Sequence, residues 1–101
     1  MTEIKLNRTG KRPLVFVGRE VAQATSRKHD STRWVKVYVY ETVRGGYVIG
    51  LARLTSWLGE SSCYTTEMFT TREGVVEHLE KCAPEIAWVV ANRLEVVEVL
   101  A

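Results

Sequence analysis

The residues best suited to bind a partner alternate along one segment in the first half of the chain. Trp34, Lys36, Tyr38 and Tyr40 occupy every second position, so an extended segment places them on one side of a strand. Aromatic rings on an open sheet form stacking platforms for nucleic-acid bases, and nearby cations neutralise phosphates. The same ring types suit a homodimer or partner interface. A plain solvated sheet surface is the third interpretation.

Basic residues near the start of the chain are a second candidate for contacts. Arg8, Lys11 and Arg12 precede the first apolar run, and such a cluster suits phosphate or an acidic partner. A solvated terminus is the ordinary alternative, so residues 1–12 are interpreted as a candidate flexible basic arm. The basic residues at positions 27–29 present the same choice in a polar segment.

Cysteine and histidine offer weaker signals for chemistry. His78 and Cys82 are four residues apart on a predicted helix and share a face, and either Cys63 or His29 would be a third ligand. Zinc sites usually show a paired C-x-x-C signature, which this sequence lacks. A Cys/His nucleophile would make the protein a small enzyme. The sequence favours neither, and we expect no metal, no cofactor and no catalytic residue.

Charge is unevenly distributed along the chain. Residues 1–55 carry eleven basic and four acidic residues, whereas residues 56–101 carry three basic and eight acidic ones. The formal net charge of +2 therefore hides a dipolar protein. The basic half suits an anionic partner, and the acidic half argues against a general nucleic-acid surface.

Length and hydropathy indicate one globular domain. The chain has 101 residues, and its longest uninterrupted apolar run covers only residues 86–91. A spanning helix needs about 20 apolar residues, so we expect a cytoplasmic protein. Both cysteines are then expected to be reduced.

Strand patterns dominate the first two-thirds of the chain. Residues 13–17 form a short apolar run ended or bulged by Gly18, and residues 33–43 alternate with one interruption at Glu41. Gly45-Gly46 predicts a hairpin into a strand at residues 47–54, and another strand covers residues 62–69. The hairpin register stays open, and it decides whether Arg53 or Tyr47 joins the aromatic face.

Helical patterns fill the last third. Thr70 and Glu73 have capping-box spacing, which predicts a helix that ends near Cys82. Pro84 suits the first turn of a second helix. Residues 95–100 are compatible with a continuation of that helix or with a final strand, and helix is favoured.

The order of these elements predicts an α+β fold with one antiparallel sheet of about four strands. Two C-terminal helices should cover the aliphatic side of the sheet and leave the aromatic side free. The arrangement of Arg-Trp, a tyrosine-rich strand, Gly-Gly-Tyr-Val and a terminal helical pair resembles small prokaryotic proteins, and it assigns no functional residue.

These features favour a non-enzymatic interaction or regulatory module. We expect it to be a homodimer or to bind a protein partner through the aromatic face. A nucleic-acid-binding protein is the alternative. The candidate binding residues are Trp34, Lys36, Tyr38, Tyr40, Arg53 and Arg12.

Overall fold

A computed structural model describes residues 1–97 and confirms the α+β class. Five antiparallel strands form one sheet in sequence order, and two helices follow them. The elements are β1 Thr2–Arg8, β2 Lys11–Thr25, β3 Arg33–Thr42, β4 Tyr47–Thr55, β5 Cys63–Phe69, α1 Arg72–Cys82 and α2 Pro84–Leu94. In the described part of the chain, no helix is long and apolar enough to cross a membrane.

The fifth strand comes from the segment that the sequence assigned to a basic arm. Residues 2–8 pair with β2 as strand β1, and a two-residue turn at Thr9-Gly10 joins the two strands. Gly10 has a φ of 73°, the left-handed conformation that such turns require. Polar residues alternate with Ile4 and Leu6 in this segment, and only the contact with β2 distinguishes it from a solvated tail.

The long strand β2 explains how the sheet curls. It continues through an irregularity between Glu20 and Ala22, where its register with β3 shifts by one residue. Such bulges bend a strand and increase its twist. The run at residues 13–17 is therefore part of a longer strand, which extends to Ala24 and Thr25.

The core lies between the sheet and the helices, as the sequence predicted. Val35, Val37 and Val39 of β3 are buried in one core cluster with the apolar side of α1. That side consists of Val75, Val76 and Leu79. Helix α2 adds Ile86, Ala87, Val90 and Leu94 to the same core.

The helix ends differ from the predictions in two details. Helix α1 begins one residue later than expected, because the side chain of Thr71, not Thr70, accepts a hydrogen bond from the Gly74 N–H. Helix α2 stops at Leu94, since Glu95 adopts a left-handed conformation with a φ of 58°. The Val96 N–H then donates to the Ala91 carbonyl, which closes a Schellman-type end. The prediction that the helix continues is thus wrong for residues 95–97, and residues 98–100 lie outside the part of the chain that the structure describes.

Candidate binding surface

The aromatic face is the concave side of the curled sheet. Leu6 of β1 reaches across to β4, where it lies 3.4 Å from the position of a Cβ atom on Gly50. At the same edge the Thr9 N–H donates to the Tyr64 carbonyl at 2.9 Å, which joins the first hairpin to β5. The sheet therefore folds toward the face opposite the helices. The open platform expected from the sequence is a trough.

The β3–β4 register decides which residues share this trough. Lys36 is paired with Ala52, and Val35 is paired with Arg53. Paired residues of antiparallel strands project to the same side, so Arg53 lies on the helix side of the sheet. There its guanidinium donates to the carbonyl of Cys82 at 3.1 Å. Tyr47 also lies on that side and is buried, so neither residue joins the aromatic face.

The four alternating residues of β3 fall into an open part and a closed part. Trp34, Lys36 and Tyr38 are half-buried, whereas Tyr40 is only 9% exposed. The ring of Phe16 packs edge-on against Tyr40, with centroids 5.5 Å apart. Burial, with a smaller effect from Glu20, raises the pKa of the Tyr40 hydroxyl. Tyr40 is thus mainly a packing residue, and the accessible part of the face is at the Trp34 end.

Cations already cover the accessible rings. The guanidinium of Arg27 lies 4.3 Å from the Trp34 ring centroid, and the Lys36 ammonium lies 5.1 Å from that of Tyr38. Neither cation has a carboxylate partner within residues 1–97. Contact with a ring orients a cation without neutralising its charge. We call Arg27, Trp34, Lys36 and Tyr38 the cation–aromatic surface.

Two depressions lie near this surface, but only one opens on it. Tyr38 lines a pocket of about 160 Å³ on the aromatic face, whereas the open cleft of about 570 Å³ beside Trp34 is lined mainly from the helix side of the sheet, by Val35, Arg53 and Glu85 among others. Gly50, Ala52 and Leu6 form much of the smaller pocket. Trp34 and Tyr38 are four positions apart on β3, a span of about 13 Å. The trough therefore has the length of a short extended segment.

The cleft beside Trp34 is built around an ion pair. Arg33 makes two hydrogen bonds to the Glu60 carboxylate, the shorter being 2.7 Å, and Thr55 donates a third. The hydrogen bonds from Arg33 and then Thr55 lower the pKa of Glu60, and Glu60 raises the pKa of Arg33. Because Glu60 belongs to the loop between β4 and β5, this pair fixes the loop that carries the exposed Trp57.

Arg12 and the cysteine–histidine pair lie away from the cation–aromatic surface. Arg12 is exposed near the first hairpin turn, where its carbonyl accepts from the Arg8 side chain. His78 packs against the ring of Phe69, with centroids 5.1 Å apart. Burial raises the pKa of the Cys82 thiol, which opposes formation of a nucleophilic thiolate. Among the residues that the structure describes, no three His, Cys, Asp or Glu side chains are grouped to hold a metal ion.

Arg27 is the residue of this surface that sequence reasoning did not select. Its basic neighbourhood was noted, but nothing indicated that it would reach Trp34. The contact depends on the one-residue shift in β2, which pairs Thr25 with Lys36 and brings the following loop beside Trp34. A bulge of this kind leaves no distinct residue pattern.

No family model matches this chain, and neither the curated proteins nor the solved structures compared with it contain a match.

Proposed function

We propose that this protein is a small non-enzymatic binding module that takes an acidic, extended segment of a partner protein along its cation–aromatic surface. The observation that carries the proposal is the pair of cations over Trp34 and Tyr38. Both cations are held by rings, and neither is neutralised by a carboxylate in the described part of the chain. A cytoplasmic location belongs to the same proposal.

The shape of the trough favours a segment over a second copy of the same face. Two concave surfaces cannot pack closely against each other, and Phe16 already occupies the space above Tyr40. An extended segment would instead lay alternate side chains toward the pocket beside Tyr38 and toward the ring of Trp34. Apolar side chains suit the pocket beside Tyr38, and carboxylates between them suit Arg27 and Lys36.

Single-stranded nucleic acid is the alternative ligand for the same cations. Unneutralised Arg27 and Lys36 would attract phosphates as well as carboxylates. Base stacking is less well supported, because the guanidinium of Arg27 covers a face of Trp34 that a base would use. Glu20, opposite Tyr40 in the register, places a negative charge at the Tyr40 end of this face, so an anion of either class is expected toward the Trp34 end.

The test is an NMR titration of the labelled protein with two probes. One probe is a short peptide of alternating Glu and Leu, and the other is an oligothymidine. We expect the peptide to shift the Trp34 indole, Lys36 and Tyr38 resonances, with binding that weakens as salt is added. A response to oligothymidine at those residues, without a response to the peptide, would favour the nucleic-acid alternative.

Charge reversal gives the matched control. Arg27→Glu with Lys36→Glu should abolish peptide binding, because both unneutralised cations are lost. Arg44→Glu with Lys81→Glu makes the same change in net charge on other surfaces and should bind like the original protein. Equal loss in both double variants would show that net charge, not this surface, attracts the peptide, and would overturn the proposal.

A further inference from the structure

The outer edge of β1 presents backbone N–H and C=O groups that point away from β2. Val17 of β2 accepts a hydrogen bond from the Val43 N–H at 3.0 Å, so its backbone groups point toward β3. Val17 is paired with Glu3, and the N–H and C=O of Glu3 therefore point away from β2. Lys5, two residues along, points the same way. Strand β1 forms a ladder only with β2, and the backbone hydrogen bond from this hairpin to β5 is made at Thr9, so no strand in the described part of the chain receives the groups of Glu3 and Lys5.

The side chains along this edge are charged, exposed and unpaired. Glu3 and Lys5 lie on the helix side of the sheet, beyond the area that the helices cover, and neither forms an ion pair within residues 1–97. Charged residues on an edge strand normally discourage pairing with other chains. An approaching strand that presents the opposite charges replaces this repulsion with attraction.

One antiparallel register makes these charges complementary. If two copies of β1 meet with Ile4 opposite Ile4 of the second copy, Glu3 of each copy faces Lys5 of the other. In that register the outward backbone groups of Glu3 and Lys5 are also the ones that form the ladder, with four hydrogen bonds across the two-fold axis. Shifting by two residues either way places Glu3 against Glu3 or Lys5 against Lys5.

We propose that the edge of β1 is a self-recognition site, through which two copies of this chain join their sheets antiparallel in the Ile4-centred register. This interface is separate from the cation–aromatic surface, because β1 pairs with residues 11–18 of β2 and Lys36 pairs with Thr25. The area of one strand edge is small, so the dimer is weak and forms with rising concentration.

Sedimentation velocity up to about 1 mM tests the proposal. Glu3→Lys and Lys5→Glu should each raise the dissociation constant by about tenfold or more, since each creates two like-charge pairs. The two variants change net charge in opposite directions, so an effect of net charge alone would change their dissociation constants in opposite directions. Mixed together they should associate again, and the double variant with both substitutions should dimerise like the original chain.

Cross-linking checks the register independently. With Cys63→Ser and Cys82→Ser as background, Ile4→Cys should form a symmetric disulfide, because the two Ile4 residues face each other across the axis. Glu3→Cys is the matched control and should not, since Glu3 faces Lys5. A protein that stays monomeric up to the highest concentration would overturn the proposal. So would single charge variants that dimerise like the original chain, or cross-linking at Glu3→Cys instead of Ile4→Cys.

Discussion

The carbonyl oxygen of Glu41 leaves no room for a side chain at Gly18. A Cβ atom at position 18 would be 2.5 Å from that oxygen and 3.2 Å from the ring of Phe16. The absence of a side chain thus allows β2 to approach β3 closely at the point before its bulge. This approach also brings Phe16 over Tyr40 and closes one end of the trough.

Gly18→Ala should destabilise the protein by about 1–3 kcal/mol, because the added methyl group forces two backbones apart. Urea denaturation measures the change in the free energy of unfolding. Gly50→Ala is the matched control in the same sheet, since its Cβ atom would only touch Leu6 at 3.4 Å. The control should be close to neutral, and equal losses at both sites would contradict the close approach at Gly18.

Thr71→Ala should lower the free energy of unfolding by about 1 kcal/mol, the usual value of a side-chain N-cap. The reason is the hydrogen bond that the Thr71 hydroxyl accepts from the Gly74 N–H at 3.0 Å. Thr70→Ala removes an identical hydroxyl one residue earlier and should have little effect. If thermal melts show a larger loss of stability for Thr70→Ala than for Thr71→Ala, the N-cap is Thr70, as the sequence predicted.

The stability provided by Glu60 should depend on pH. Hydrogen bonds from Arg33 and Thr55 hold its pKa below the ordinary value in the folded protein. A lowered folded-state pKa means that the ionised form is favoured by folding, so this contribution is present above the ordinary pKa and is lost as pH falls through the lowered one. Stability curves of the original protein and of Glu60→Gln should therefore converge in acid.

Carboxyl NMR titration tests the cause of that shift. Arg33→Gln should move the Glu60 pKa upward, because the largest contribution comes from the Arg33 hydrogen bonds. Thr55→Val should move it upward by less. If Glu60 titrates at the same pH in the original protein and in Arg33→Gln, the ion pair is not formed in solution.

Tyr40 should titrate above the usual range for a tyrosine. Burial is the main reason, and Glu20 and Tyr38 add smaller effects in the same direction. Since folding favours the neutral phenol, its contribution is complete below the ordinary pKa and is lost as pH rises through the raised one. Ultraviolet titration should show a late phenolate that Tyr40→Phe removes, and Tyr40→Phe should reduce the alkaline loss of stability.

The sequence alone predicted the elements whose residue patterns are local. Alternation along residues 33–43 identified β3, and the spacing of Val75, Val76 and Leu79 identified the buried side of α1. The order of strands before helices then gave the α+β class and the covered face, because each amphipathic element must bury one side. Pro84 likewise predicted the first turn of α2, because proline has a φ suited to that position and the N–H that it lacks would have no partner within the helix.

Features that depend on contacts between distant residues were decided only by the tertiary structure. Strand β1 is recognisable through its pairing with β2, and the direction of the Arg53 side chain follows from a register that one residue would reverse. The trough exists because a bulge and Gly18 bend β2, which brings Arg27 beside Trp34 and Phe16 onto Tyr40. Local sequence thus determined which residues form each strand, whereas the bending and pairing of strands determined which of their side chains meet.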